Sequence, residues 1–160
     1  MICGIGGIAG HSHKHVSAKS VGYILRLVLP QNLSAVTGAC LAVRREIWEK
    51  IGGLNERSLP VAYNDVDFCL RVREAGYRNL WTPYATLYHH ESASRGLDDP
   101  DRNRDRSVRE RDYMKRKWKA YLDRDPYYNP HLTLDKEDFS FSDELKKAAG
   151  SKNGSETIFR

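Results

Sequence analysis

Long apolar runs are missing from this chain of 160 residues. No stretch approaches the roughly 20 residues that a helix needs to cross a bilayer, so a spanning helix is not expected. Cysteine is scarce: Cys3, Cys40 and Cys69 are odd in number and form no CxxC pair. A disulfide framework is therefore not expected, in keeping with a reducing compartment. The opening Met1-Ile2-Cys3-Gly4-Ile5-Gly6-Gly7 lacks the basic and long apolar regions of a secretory signal. The expected location is the cytoplasm, or the periphery of the inner membrane on its cytoplasmic side. Internal repeats are absent as well.

What is present is ordinary in bulk and uneven in detail. A hydrophobic content of 40% and a charged content of 29% suit a soluble globular chain. The length suits one domain with a core of its own. The net charge of +5 is concentrated in one segment. From Arg102 to Lys119, nine Lys or Arg stand against three acids, Asp105, Glu110 and Asp112, and the remainder is near neutral.

The most informative stretch is Ala62-Tyr63-Asn64-Asp65-Val66-Asp67-Phe68-Cys69-Leu70-Arg71. It reads as the start of an amphipathic helix. Asn64 suits the N-cap, where a side-chain carbonyl accepts an orphan backbone N–H. Asp65 and Asp67 fall in the first turn, where the helix dipole favours carboxylates. Val66, Cys69, Leu70 and Arg73 share one face by their spacing, and Gly76 suits the left-handed residue that ends a helix. Taken alone, the stretch is best explained as a well-capped surface helix.

The flanks add elements on both sides. Gly4-Ile5-Gly6-Gly7-Ile8-Ala9-Gly10 loosely matches a dinucleotide loop, but that loop needs a strand before it and a helix after it. Three residues precede this one, and His11-Ser12-His13-Lys14-His15 follow it. The three histidines alternate and would share a face on a strand, as metal ligands can; an exposed polar loop is the stronger reading. Val21 to Leu29 is read as a short helix, and Leu33 to Val43 as a buried strand. Gly38 inside that strand marks tight packing, a bulge or the close approach of a ligand. Arg44 to Ile51 is read as a helix with Ile47, Trp48 and Ile51 inward, closed by Gly52-Gly53. Leu54 to Val61 is an irregular loop. Strands are expected at 77–81 and 85–88, the second ending in His89 and His90, whose side chains would point to opposite faces. A long basic helix runs from Arg102 to Leu122 with Val108, Tyr113 or Met114, Trp118, Tyr121 and Leu122 on its apolar side, and a frayed tail follows Phe141.

In order, Thr37-Gly38-Ala39, Gly52-Gly53-Leu54-Asn55-Glu56, Asn64-Asp65-Val66-Asp67 and Tyr88-His89-His90-Glu91 resemble the C-terminal half of family 2 glycosyltransferases. These are the GT-A enzymes of O-antigen, rhamnan and capsule assembly. The resemblance runs from about Gly4 to Phe141; each motif is weak alone, and the set is specific. It implies an α/β fold: a partial GT-A domain, the acceptor-side half, with a mixed sheet and flanking helices. To this are added the basic C-terminal helix and a flexible tail, so that the domain covers 1–141 and the tail 142–160.

An inverting glycosyl transfer needs a base for the acceptor hydroxyl, a means of stabilising the departing nucleotide diphosphate, and alignment of both substrates. The resemblance places Asp65 as that base. Asn64 stands where the family usually has Glu, so the base is kept and a neighbouring charge is lost. Thr37, Gly38 and Ala39 would line the acceptor side, with Asn64 and Asp67 contributing to substrate binding. Ser94 and Arg95 would touch the diphosphate, Arg being suited to phosphate oxygens. His89 or His90 would be the metal ligand, the metal being Mn²⁺ or Mg²⁺ in the complete enzyme. The family's nucleotide-binding strands and their DxD are not in this chain; Asp65-Val-Asp67, Asp99-Pro-Asp101 and Asp123-Arg-Asp125 do not fill that place. The expectation is a fragment that is inactive alone and binds no metal tightly.

The implied partners are a nucleotide-sugar donor and a saccharide or lipid-linked acceptor. An anionic membrane surface and a second copy of the chain, met through exposed strand edges, are further expected partners. Two rival readings differ in class. One is a non-catalytic dimerisation fragment. The other is a nucleic-acid-binding module built on the basic segment, weakened because its charges surround the whole helix.

Overall fold

The glycine-rich opening folds as a small antiparallel pair. In the computed structural model, which describes residues 1–87 and 103–150, β1 (Ile2–Cys3) pairs with β2 (Ala9–Gly10), Ile2 opposite Gly10. A 3₁₀ turn, Ile5–Gly7, joins them. Gly4 has φ of 91°, and a Cβ there would collide with the Leu122 carbonyl, so no larger residue fits. The helix that a dinucleotide loop requires does not follow.

The expected helix at 21–29 does not form. That segment holds one 3₁₀ turn, Tyr23–Leu25, in which Ile24 takes φ 45° and ψ 55°. Nor does 33–43 form a strand. The strand is β3 (Gln31–Leu33), shifted toward the N-terminus, and the chain beyond it loops outward through a 3₁₀ turn at Gly38–Cys40. Small side chains there gain little from burial, and only Ala35 is wholly enclosed.

The helix α1 (Arg45–Ile51) ends at Gly52, left-handed as its sequence indicates. Ile47 is buried. Trp48 faces inward only in part: it is 38% exposed, with its ring against Phe68. The acidic helix is α2 (Asn64–Glu74), closed by paired bonds from Gly76 N–H to the Arg73 carbonyl and Tyr77 N–H to the Val72 carbonyl. Asn64 is its first helical residue and not its cap; that place is held by Tyr63, in a left-handed conformation without a side-chain cap bond.

The strand β4 (Asn79–Trp81) pairs antiparallel with β3, Leu33 opposite Asn79. Residues 85–87 are not in a strand. The basic helix α3 (Arg104–Asp123) appears close to its expected bounds. Met114, Trp118 and Leu122 are buried on it, whereas Val108, expected on that side, is exposed. Where a tail was expected, a short helix α4 (Asp143–Gly150) forms.

Three apolar clusters hold these pieces. The largest joins Val66, Cys69 and Leu70 of α2 to Met114, Trp118 and Leu122 of α3, with Cys3, Ile8, Ala35 and Leu59 filling in. A second gathers Ile2, Ile5, Tyr128, Leu132 and Phe139, and a third joins Ile47 to Phe68 and Val72. The helix α2 is thus packed on both flanks, and its N-terminus is held in place. Among the described residues, no helix is long and apolar enough to cross a membrane.

Candidate active site

Two carboxylates two residues apart on α2 meet opposite environments. Successive residues turn by about 100° around a helix, so positions 65 and 67 diverge by about 200°. Asp67 is wholly buried. One of its oxygens accepts from Trp118 Nε1 at 2.8 Å and from Lys117 Nζ at 3.0 Å, and the other accepts from Arg71 Nε at 2.7 Å. Arg71 also donates to the carbonyls of Ile51 and Gly53, both at 2.7 Å. Asp67 therefore ties α2 to α3 and to the end of α1. Its oxygens are taken by the protein and not presented to a substrate. Burial acts against the Lys117 ammonium, but its bonds to Tyr113 and Asp67 outweigh this and hold its pKa above the ordinary value.

Asp65 is half-buried at the open end of the same helix. Its Oδ2 accepts from Gly38 N–H at 2.8 Å, and its Oδ1 from Val66 N–H, also at 2.8 Å. A Cβ on residue 38 would lie 3.2 Å from the Asp65 Cβ. The glycine is what lets the loop come this close. Each carboxylate oxygen keeps a lone pair for a further donor.

The loop before α2 is held from outside. Glu110, buried on α3, accepts from Val61 N–H at 2.9 Å and Ala62 N–H at 3.3 Å. It thereby fixes the approach to a helix whose own cap makes no side-chain bond. Asp125, also buried, accepts from Cys3 N–H, Ser34 Oγ and Tyr127 N–H. Glu110 and Asp125 are anchors that the sequence reading did not single out. Glu110 carried a signal: it lies four residues before Met114 on the row that continues to Trp118 and Leu122, where a carboxylate must be paired.

Of the residues selected from sequence, the structure brings Thr37, Gly38, Ala39, Asn64 and Asp65 together. Thr37 Oγ accepts from Ala39 N–H at 3.3 Å, and Gly38 and Ala39 are exposed. Asp67 faces the other way. His89, His90, Ser94 and Arg95 lie outside the described residues.

From Thr37 a cleft of about 740 Å³ runs to the turn at 11–16. His11, His13, Lys14, His15 and Arg26 line it, with Gln31 and the apolar Leu27, Leu33, Trp81 and Leu87. Partial burial lowers the pKa of His11 and His13; the ammonium of Met1 adds to this for both, and Arg26 for His13. The negative charge of Asp65 acts on His11 in the opposite sense, so cleft and carboxylate are electrostatic neighbours. The imidazoles do not form a metal site: among the described residues, no three ligating side chains converge. The described residues thus do not by themselves suit a divalent cation. Burial pushes the Cys3 thiol up to about 12 and the Cys69 thiol up to about 11, which leaves both without nucleophilic character at neutral pH.

A carboxylate fixed by two backbone N–H groups, open to solvent on its remaining side, is suited to accept a proton from a bound hydroxyl. Relatives bear on what that hydroxyl could belong to. An uncharacterized protein of Sinorhizobium fredii, y4gI, is 55% identical over 142 residues, 89% of this chain and 16% of that protein. The O-antigen biosynthesis protein RfbC of Myxococcus xanthus is 35% identical over 143 residues, 84% of this chain and 10% of its own length. An N-acetylglucosaminyl-diphospho-decaprenol L-rhamnosyltransferase of Mycobacterium tuberculosis is 36% identical over 63 residues, 39% of this chain and 20% of the enzyme. The chain therefore spans between about a tenth and a fifth of the length of these relatives. No family model matches it, and no solved structure does.

Proposed function

We propose that this chain is the acceptor-side part of an inverting glycosyltransferase of family 2, with the GT-A fold, acting in cell-surface polysaccharide assembly. The observation that carries this reading is Asp65, poised at the helix terminus against Gly38 N–H at 2.8 Å. Relatives named for O-antigen biosynthesis and for rhamnosyl transfer support the reaction class. The acceptor hydroxyl docks beside Thr37-Gly38-Ala39 and passes its proton to Asp65 as it attacks the sugar's anomeric carbon. The nucleotide diphosphate departs on the opposite face of that carbon, so the configuration inverts. Donor binding falls to a nucleotide-binding half outside these 160 residues, and any divalent cation takes most of its ligands there. Asp67 acts at a distance, by holding the helix that carries Asp65. The working location is the cytoplasm, peripheral to the inner membrane.

The test is transfer of a radiolabelled sugar from its nucleotide donor, measured with this chain alone and with a chain carrying the nucleotide-binding half in addition. The chain alone is expected to transfer nothing. In the assembled enzyme, Asp65→Asn should lower turnover by a factor of about 10² to 10⁴, the usual worth of a positioned base, with donor binding nearly unchanged. Near-normal turnover of Asp65→Asn would overturn the assignment of the base. Transfer by the chain alone would overturn the divided site.

A further inference from the structure

We infer that the cleft between the 11–16 turn, Arg26 and the β3–β4 pair is a binding site for a phosphorylated group, a phosphate monoester or a pyrophosphate. The inference rests on the reading of Asp65 as the base for an acceptor hydroxyl, and it names the class of acceptor. Its basis is the lining. Three imidazoles, one ammonium and one guanidinium border the same 740 Å³ of space, and no carboxylate borders it. The sequence explains the imbalance: the first acid in the chain is Glu46, so the whole segment that builds the cationic wall is free of carboxylates. Cations gathered without counter-charge repel one another, and such a wall is favourable when an anion completes it.

The geometry adds a direction. Thr37 forms one end of the cleft, and the next residue, Gly38, donates to Asp65. A ligand whose phosphate lies against His13, Lys14 and Arg26 would thus extend toward the carboxylate. Ser12, Gln31 and Thr37 offer neutral hydrogen-bonding groups along the way, while Trp81, Leu27 and Leu87 supply an apolar wall. A phosphate joined to a sugar fits this order, with the phosphate at the cationic end and a hydroxyl at Asp65. Guanidinium and ammonium groups suit phosphate oxygens, and imidazoles join them as protonated donors once an anion favours that form.

The experiment uses the complete 160-residue chain. Histidine ring signals are followed by nuclear magnetic resonance while inorganic pyrophosphate is added, with sulfate at equal ionic strength as the reference. Saturable shifts of His11, His13 and His15 with pyrophosphate, and weak ones with sulfate, are expected. Lys14→Gln and Arg26→Gln should each weaken binding about tenfold, as the loss of one charged contact does. Lys115→Gln, on the exposed side of α3, should leave it within twofold. Because Arg26 also rests on the Phe139 ring, His15→Gln, exposed and at the rim, serves as a second variant that leaves packing alone. Equal shifts with sulfate, or a loss that follows Lys115 and not the cleft residues, would overturn the site.

Two further arms separate the sources of the phosphate. Farnesyl diphosphate binding more tightly than pyrophosphate assigns a lipid-linked acceptor. Glucose 1-phosphate binding at least as tightly as pyrophosphate assigns a soluble phosphosugar, and binding of neither overturns the acceptor role. Asp65→Asn should bind pyrophosphate within twofold of the unaltered chain. Transfer that depends on Asp65 without phosphate binding would defeat the cleft alone. Phosphate binding with transfer independent of Asp65 would defeat the functional reading alone.

Discussion

The seam between α2 and α3 and the arm from His11 to Leu29 belong to one domain, yet they are built by opposite rules. In the seam, buried charge is paired: Asp67 meets three donors, and Glu110 accepts two backbone N–H groups. In the arm, apolar side chains face water: Val21, Ile24, Leu25, Val28 and Leu29 are exposed, Ile24 by 75%. The arm also carries left-handed backbone at His15, Ile24 and Leu25. What attaches it is a set of ring contacts, Tyr23 stacked on Phe139 at 4.4 Å and His13 tilted against the same ring at 5.0 Å. Rigidity is invested where the base is carried, and adaptable surface where ligands and partners arrive. That division is what a catalytic carboxylate needs, because its position must be fixed while its surroundings stay open.

The sharpest way to break the comparison is to remove the anchor of the seam. Asp67→Ala leaves the Trp118 N–H buried without an acceptor and takes one partner each from Lys117 and Arg71. The loss should be on the order of 3 kcal/mol, discounted because Lys117 and Arg71 keep other contacts. Urea denaturation followed by tryptophan fluorescence measures it. A change below about 0.5 kcal/mol, the usual range for surface positions, would show that the network is not the structural anchor described.

A smaller effect of opposite sign is expected in the arm. Ile24 is a β-branched residue at φ 45°, a conformation that costs it energy and costs glycine little. Ile24→Gly should therefore stabilise the chain by about 1 kcal/mol, because little burial is lost with the side chain. Destabilisation of that size would mean that the exposed isoleucine is covered in solution, for example by a second copy of the chain. Sedimentation at two concentrations separates the two causes.

The smallest effect is acid sensitivity. His11 and His13 titrate below the ordinary value of 6.5 in the folded chain, chiefly through partial burial. His11 is also influenced by the Met1 ammonium, Lys14, Asp65 and Glu137, and His13 by Arg26 and the Met1 ammonium. Below 6.5 the unfolded chain binds protons that the folded chain refuses, so this stability is whole above 6.5 and lost as the pH falls through the folded values. Urea midpoints measured from pH 8 to pH 5 should fall on acidification, and His13→Gln should flatten the slope. A midpoint that rises toward pH 5 would contradict the assignment.

Local spacing determined the parts of the fold that answer to local rules. The apolar face Val66, Cys69 and Leu70, the closing Gly76, the end of α1 at Gly52 and the long basic helix are all written in residues a few positions apart, and each forms. Spacing also separated Asp65 from Asp67, because 200° of turn on one helix leaves no other outcome. What spacing could not fix is whether a run of small and branched residues finds a partner strand. The segment at 33–43 read as a buried strand, but a strand needs a ladder, and β4 pairs with Gln31–Leu33 instead. The segment at 21–29 read as a helix, yet its ring contacts with Phe139, more than 110 residues on, set its path. Asn64 read as a cap, but Glu110 of a helix far along the chain holds the turn before it, and that long-range bond makes the local cap dispensable. The cationic cleft is likewise tertiary: its histidines, Arg26 and Trp81 come from separate segments, and only the folded chain sets them around one volume. The sequence determined which groups were on hand for chemistry. Long-range packing decided which of them would be consumed as anchors and which would remain open to a substrate, because burial and pairing depend on neighbours that no local window contains.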